Sequence, residues 1–119
     1  NSIIILRNLI TGILLFFFGQ SLVWIQTNGQ FVWPIIKKNP WVVSIVGGTI
    51  ISYTFITATK YLVEYYDGQL WPGRFIGFAT GMLAFSLLTY LIMNEGMNTK
   101  TLVSLGLATL LLIVQLFWK

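Results

Sequence analysis

LITGILLFFFGQSLVW, residues 9–24, carries no charged side chain and no proline. It is the middle of a longer apolar run from Ile3 to Gln26, and three more runs of similar kind follow at about 41–64, 73–94 and 100–118. A hydrocarbon slab about 30 Å thick takes roughly 20 apolar residues to cross as a helix, so each run is long enough to span. All seven Lys/Arg and all three Asp/Glu fall at or near the ends of these runs. The expected fold is therefore all-α: a polytopic membrane protein of four transmembrane helices in a compact bundle, one transmembrane domain over residues 1–119.

Composition agrees. The chain is 56% hydrophobic and 8% charged, with a mean hydropathy of +0.82, where a water-soluble domain carries about 25% charged residues. With no cysteine and no histidine, disulfides, thiolate chemistry, haem ligation and the usual zinc sites are excluded. No cofactor and no metal is expected. The net charge of +4 is spread over the connections without a basic cluster, so it points to contact with anionic lipid and not to nucleic acid. The first apolar run is too long for a signal-peptide core and lacks a small-residue cleavage site, so it is expected to be retained. The expected setting is a multi-pass protein of a bacterial-type inner membrane.

The connections are short. Thr27 to Gln30 is turn chemistry, Trp33-Pro34 restarts a helical stretch, and Lys37 to Pro40 is a polar stop before Trp41 opens the second helix. Tyr61, Tyr65 and Tyr66 form an aromatic belt at its far end. Asp67-Gly68 breaks it, Trp71-Pro72 begins the third helix, Glu95-Gly96 ends that one, and Thr99 or Thr101 is positioned to cap the fourth. The segment Asn28 to Pro34 echoes Asp67 to Pro72 on the opposite membrane face, a pattern that an inverted repeat or separate selection of Gly, Trp and Pro explains.

Four basic residues, Arg7, Lys60, Arg74 and Lys119, fall on one side, and three, Lys37, Lys38 and Lys100, on the other. The positive-inside rule barely chooses between orientations. Insertion both ways, as an antiparallel homodimer requires, stands beside a topology fixed by one helix or by unlike membrane subunits.

Gly73, Gly77 and Gly81 recur every four residues on the third helix and form a face that another backbone can approach closely. Ser44, Gly48 and Ser52 form a matching stripe on the second. These faces are expected to meet, within a protomer or between two. Gln20 lies at depth, where an unpaired amide costs several kcal/mol, and Phe16 and Trp24 flank it one turn below and above. With Tyr53 and Tyr90 these residues are the candidate ligand-binding set, against the alternative of hydrogen bonds between helices. The carboxylates Glu64, Asp67 and Glu95 fit interfacial caps better than paired acid–base catalysis. No catalytic residue is assigned, and the chain is not expected to be an enzyme.

The four short helices, Trp33-Pro34 ahead of the second, the glycine-rich third, and Asn94-Glu95-Gly96-Met97-Asn98-Thr99-Lys100 leading into the fourth resemble the small multidrug resistance branch of the drug/metabolite transporter superfamily. That resemblance implies export through a dimer with a glutamate embedded in the first helix. Aligned through Trp33-Pro34, the glutamate position falls near Phe16, with Gln20 one turn later, and neither side chain releases a proton. A facilitator, a diverged transporter or a nontransporting relative is implied instead. Gly19-Gln20, followed by Trp41, Ser44, Gly47-Gly48 and Tyr53, is similar to the small membrane domain at the N-terminus of some lipid A biosynthesis proteins. Two functions remain open: transport or facilitation of a small organic or lipid-like solute by an oligomer, and a noncatalytic accessory or assembly role in a larger membrane complex.

Overall fold

Helices follow from the solvent, because in hydrocarbon every backbone amide and carbonyl has to find its partner inside the segment. The computed structural model describes residues 2–118; Asn1 and Lys119, the latter one of the basic residues counted above, lie outside them. Among the described residues there is no strand. Helix α1 spans Ser2–Asn28, a single 3₁₀ turn covers Gly29–Phe31, and the short α2 is Pro34–Lys38. Helices α3, Pro40–Tyr65, α4, Trp71–Met93, and α5, Thr99–Phe117, complete the chain. Four of these, α1, α3, α4 and α5, are long and apolar enough to cross a membrane. Their ends differ from the expected bounds by at most two residues.

Each helix end has a local cause. Proline occupies the first turn of α2, α3 and α4, where its missing N–H costs nothing. After α3 the chain reverses through Asp67 and Gly68, with φ of 55° and 92°. Gly68 N–H donates back to the Val63 carbonyl at 2.9 Å. Left-handed Asn94 closes α4. The cap of α5 is Asn98, whose side-chain oxygen accepts from Thr101 N–H at 2.9 Å. The threonine expected to cap is thus the donor, since the side-chain carbonyl of the residue just outside the helix reaches the amide of the third helical residue. The echo between the two Gly-Gln-Trp-Pro segments does not extend to the backbone. Gly29 sits buried in a 3₁₀ turn and Trp33-Pro34 opens a separate short helix, whereas Gly68 is left-handed and Trp71-Pro72 runs straight into α4.

Helix α1 is the centre of the bundle. It packs along both α3 and α4, α5 packs on α4, and α3 touches α4 only slightly. Phe16, Ala58, Leu62 and Ile76 form the core, with Leu112 and Leu116 of α5 against it. Tyr66 closes the same end by donating its hydroxyl to the Gln115 carbonyl at 2.8 Å.

This order answers the first half of the expected helix pairing, contact within one protomer. Within the chain, Gly73, Gly77 and Gly81 do not meet Ser44, Gly48 and Ser52. A methyl added at Gly77 would lie 3.1 Å from Phe16, and one at Gly81 2.9 Å from the Gln20 carboxamide, so the α4 stripe receives the long side chains of α1. Gly73 faces Leu62 instead. On α3, Gly47 and Gly48 lie beside Gln26 of α1, while Ser44 and Ser52 are exposed. Helix α1 has its own close approaches, Gly12 against Leu62 and Gly19 against Phe55. Small residues mark where a helix is thin; they do not say which neighbour fills the space.

Candidate ligand groove

Since α3 and α4 splay apart on either side of α1, a groove of about 510 Å³ is left between them. Its floor is Phe16 and Gln20 of α1. Phe55 and Thr59 of α3 form one wall, and Gly77 and Phe78 of α4 the other, with Arg74 at one end. Phe16 is 8% exposed, whereas Phe78 on the rim is 60% exposed, so the groove opens sideways from a closed floor. Phe55 leans on Phe16 with ring centroids 5.6 Å apart. The volume falls in the range of small-ligand sites, and the lining is mostly apolar with a few polar groups, as such sites are.

Gln20 is held by one half of its amide. Nε2 donates to the Gly77 carbonyl at 3.0 Å, an acceptor that fixes which end of the amide is nitrogen. The Gly77 carbonyl also lies 3.0 Å from the Thr80 hydroxyl. Gln20 Oε1 has no hydrogen-bond partner among the described residues, and among them no buried side-chain oxygen or nitrogen lacks one. That oxygen is therefore not buried, on a side chain that lines the groove. Of the two readings kept for Gln20, the hydrogen bond between helices is present: the side chain joins α1 to α4, and its oxygen remains an acceptor.

The remaining candidates separate. Trp24, 2% exposed, donates its indole N–H to the Thr89 hydroxyl at 2.9 Å, and acts as a bond between α1 and α4 beyond the groove. Tyr53 and Tyr90 are 72% and 53% exposed and do not line the groove. Their spacing carried no signal for the inside of the bundle, because in a chain apolar on all faces the helical period does not distinguish lipid from neighbour. Phe55, Thr59, Arg74 and Phe78 were not legible as site residues. Only the recurrence of Arg74, Gly77 and Phe78 on one face of α4 pointed that way.

Comparison of the chain with protein-family models, with curated proteins and with solved structures finds no match. Fold and groove define a class: a multi-pass helical membrane protein with a laterally open, mostly apolar groove beside its central helix.

Proposed function

We propose that this chain is a small membrane transporter or facilitator that takes a small organic or lipid-like solute into the groove between α1, α3 and α4. The observation that carries this is the Gln20 carboxamide, fixed at one end by Gly77 and open at the other, on an otherwise apolar floor. A carbonyl held in that way recognises a donor on the solute and adds little else, which suits weak binding and release. The protein acts as a homodimer in a bacterial-type inner membrane, in the style of the small multidrug resistance proteins it resembles, with the exposed Ser44 and Ser52 face of α3 available for close helix association. With no carboxylate at Phe16 or Gln20, neither side chain can carry a proton as the embedded glutamate of that family does.

A purified-protein screen by thermal shift against small amphiphiles and aromatic solutes tests this, with flux of each hit measured in proteoliposomes. Hits are expected to stabilise the wild type and to lose that effect in Gln20→Leu, while the variant stays folded. Hits that stabilise both equally, or no flux of any hit, overturn the proposal. The accessory reading keeps one observation in its favour: α5 buries only Ala108 and leaves most of its surface uncovered. Co-purification of an unlike membrane subunit at fixed stoichiometry, with no flux, is the result that selects it.

A further inference from the structure

We infer that the groove's solute is an amphiphile with an anionic headgroup and an apolar chain, entering sideways from the leaflet that faces the first turn of α4. This rests on the groove being the ligand site and names the substrate class for it.

Arg74 is the one charged residue among those lining the groove. It sits in the first turn of α4 beside Trp71, which is 74% exposed and marks headgroup depth. Its guanidinium has no ion-pair or hydrogen-bond partner among the described residues. The acids on the same side do not line the groove: Glu64 is exposed, and Asp67 borders a different hollow with Tyr65 and Gln69. A cationic solute would find no countercharge here, whereas a phosphate, sulfate or carboxylate finds a planar donor that matches two of its oxygens.

Geometry adds a second requirement. Arg74 precedes Gly77 by three residues, about 4.5 Å of helix rise, and Gly77 is where Gln20 is anchored. The carboxamide itself stands over Gly81, a further turn along α4, so an anion at Arg74 leaves Gln20 about 10 Å deeper along the solute, which selects a hydroxyl or amide N–H part-way down the chain. Between the two, Phe16, Phe55 and Phe78 offer only ring surface, suited to one alkyl chain. The source is either an anionic bilayer lipid that inserts one chain or a soluble single-chain amphiphile.

Titration of the purified protein in neutral detergent with dodecyl phosphate, dodecyltrimethylammonium, analogues of both that carry one amide N–H in the chain, and inorganic phosphate tests the inference. Dodecyl phosphate is expected to bind, Arg74→Gln to weaken it about tenfold and Arg74→Lys to restore part of the loss. Lys60→Gln, an exposed basic residue on the same side but outside the groove, is expected to change affinity less than about twofold. Equal loss in both neutralised variants means diffuse attraction and overturns the assignment. Dodecyltrimethylammonium binding more tightly, in a Gln20-dependent way, overturns the anionic class and leaves the groove standing. Inorganic phosphate binding as tightly as dodecyl phosphate overturns the requirement for a chain. No Gln20-dependent binding of any probe removes the groove reading itself. Competition by phosphatidylglycerol nanodiscs in the wild type, lost in Arg74→Gln, assigns the bilayer lipid as the source; no competition assigns the soluble amphiphile.

Discussion

Gln20 and Gly77 are joined by a single hydrogen bond, Nε2 to carbonyl oxygen at 3.0 Å, across 57 residues of sequence. It is possible because two α4 positions lack a side chain. Gly77 admits the Phe16 ring, and Gly81 leaves the space in which the carboxamide turns. The glycine stripe thus serves packing and the site together, since the same close approach that joins α1 to α4 sets the groove floor.

Leucine at Gly81 should therefore act on both. Its Cβ alone would lie 2.9 Å from Gln20 Cδ, so Gln20 or the helix has to move. Overpacking of this kind costs about 1–3 kcal/mol. Gly106→Leu on α5, where nothing lies within 4 Å of an added Cβ, is the control and should stay within about 0.5 kcal/mol of wild type. Thermal unfolding in one detergent compares them, and equal melting temperatures would refute the packing role.

Trp24 and Thr89 should behave as a coupled pair. The bond of 2.9 Å joins the distal parts of α1 and α4, and interhelical bonds in membranes average about 0.6 kcal/mol. A double-mutant cycle of Trp24→Phe and Thr89→Val is expected to return a coupling of that order. A coupling indistinguishable from zero would show that Trp24 contributes by volume alone.

Alkaline pH should loosen the end of the bundle that Tyr66 closes. Burial, with a smaller effect from neighbouring Tyr65, holds its phenol above the ordinary value of 10.0, and its hydroxyl donates to Gln115. The neutral form is the one the fold prefers. The contribution is complete below about pH 10 and lost as pH rises through the raised folded-state value. Melting curves between pH 8 and 11 should show a steeper decline for wild type than for Tyr66→Phe; parallel declines would remove this contribution.

Four transmembrane helices, their ends and the inward row Phe16, Gln20 and Trp24 were legible in the sequence, because the bilayer imposes length and spacing of four residues sets a face. The partners of that row were not. Helix order α3, α1, α4, α5 across the bundle depends on which large side chain fits which small surface, and Gly77 matches Phe16 or a serine stripe equally well on paper. Arg74 was legible as an orienting charge, while its place at the groove end follows only from the splay of α3 and α4. Tyr53 and Tyr90 show the converse: polar handles on an apolar helix face outward as readily as inward when lipid is the solvent.

Topology is open to a simple experiment. With basic residues balanced at four and three in the sequence, C-terminal reporters are expected to be active on both sides of the membrane. Two lysines added to either side should then shift the population to one orientation. Activity confined to one side in the unmodified chain would contradict dual insertion.

Photolabelling reads directly whether solute binds in the groove. An alkyl phosphate carrying an amide N–H and a diazirine in its chain, irradiated with the purified protein and mapped by mass spectrometry, is expected to label Phe16, Phe55 and Phe78, with the labelling reduced in Gln20→Leu. Label confined to the outward faces around Tyr53 and Tyr90, or unchanged in Gln20→Leu, would contradict binding there.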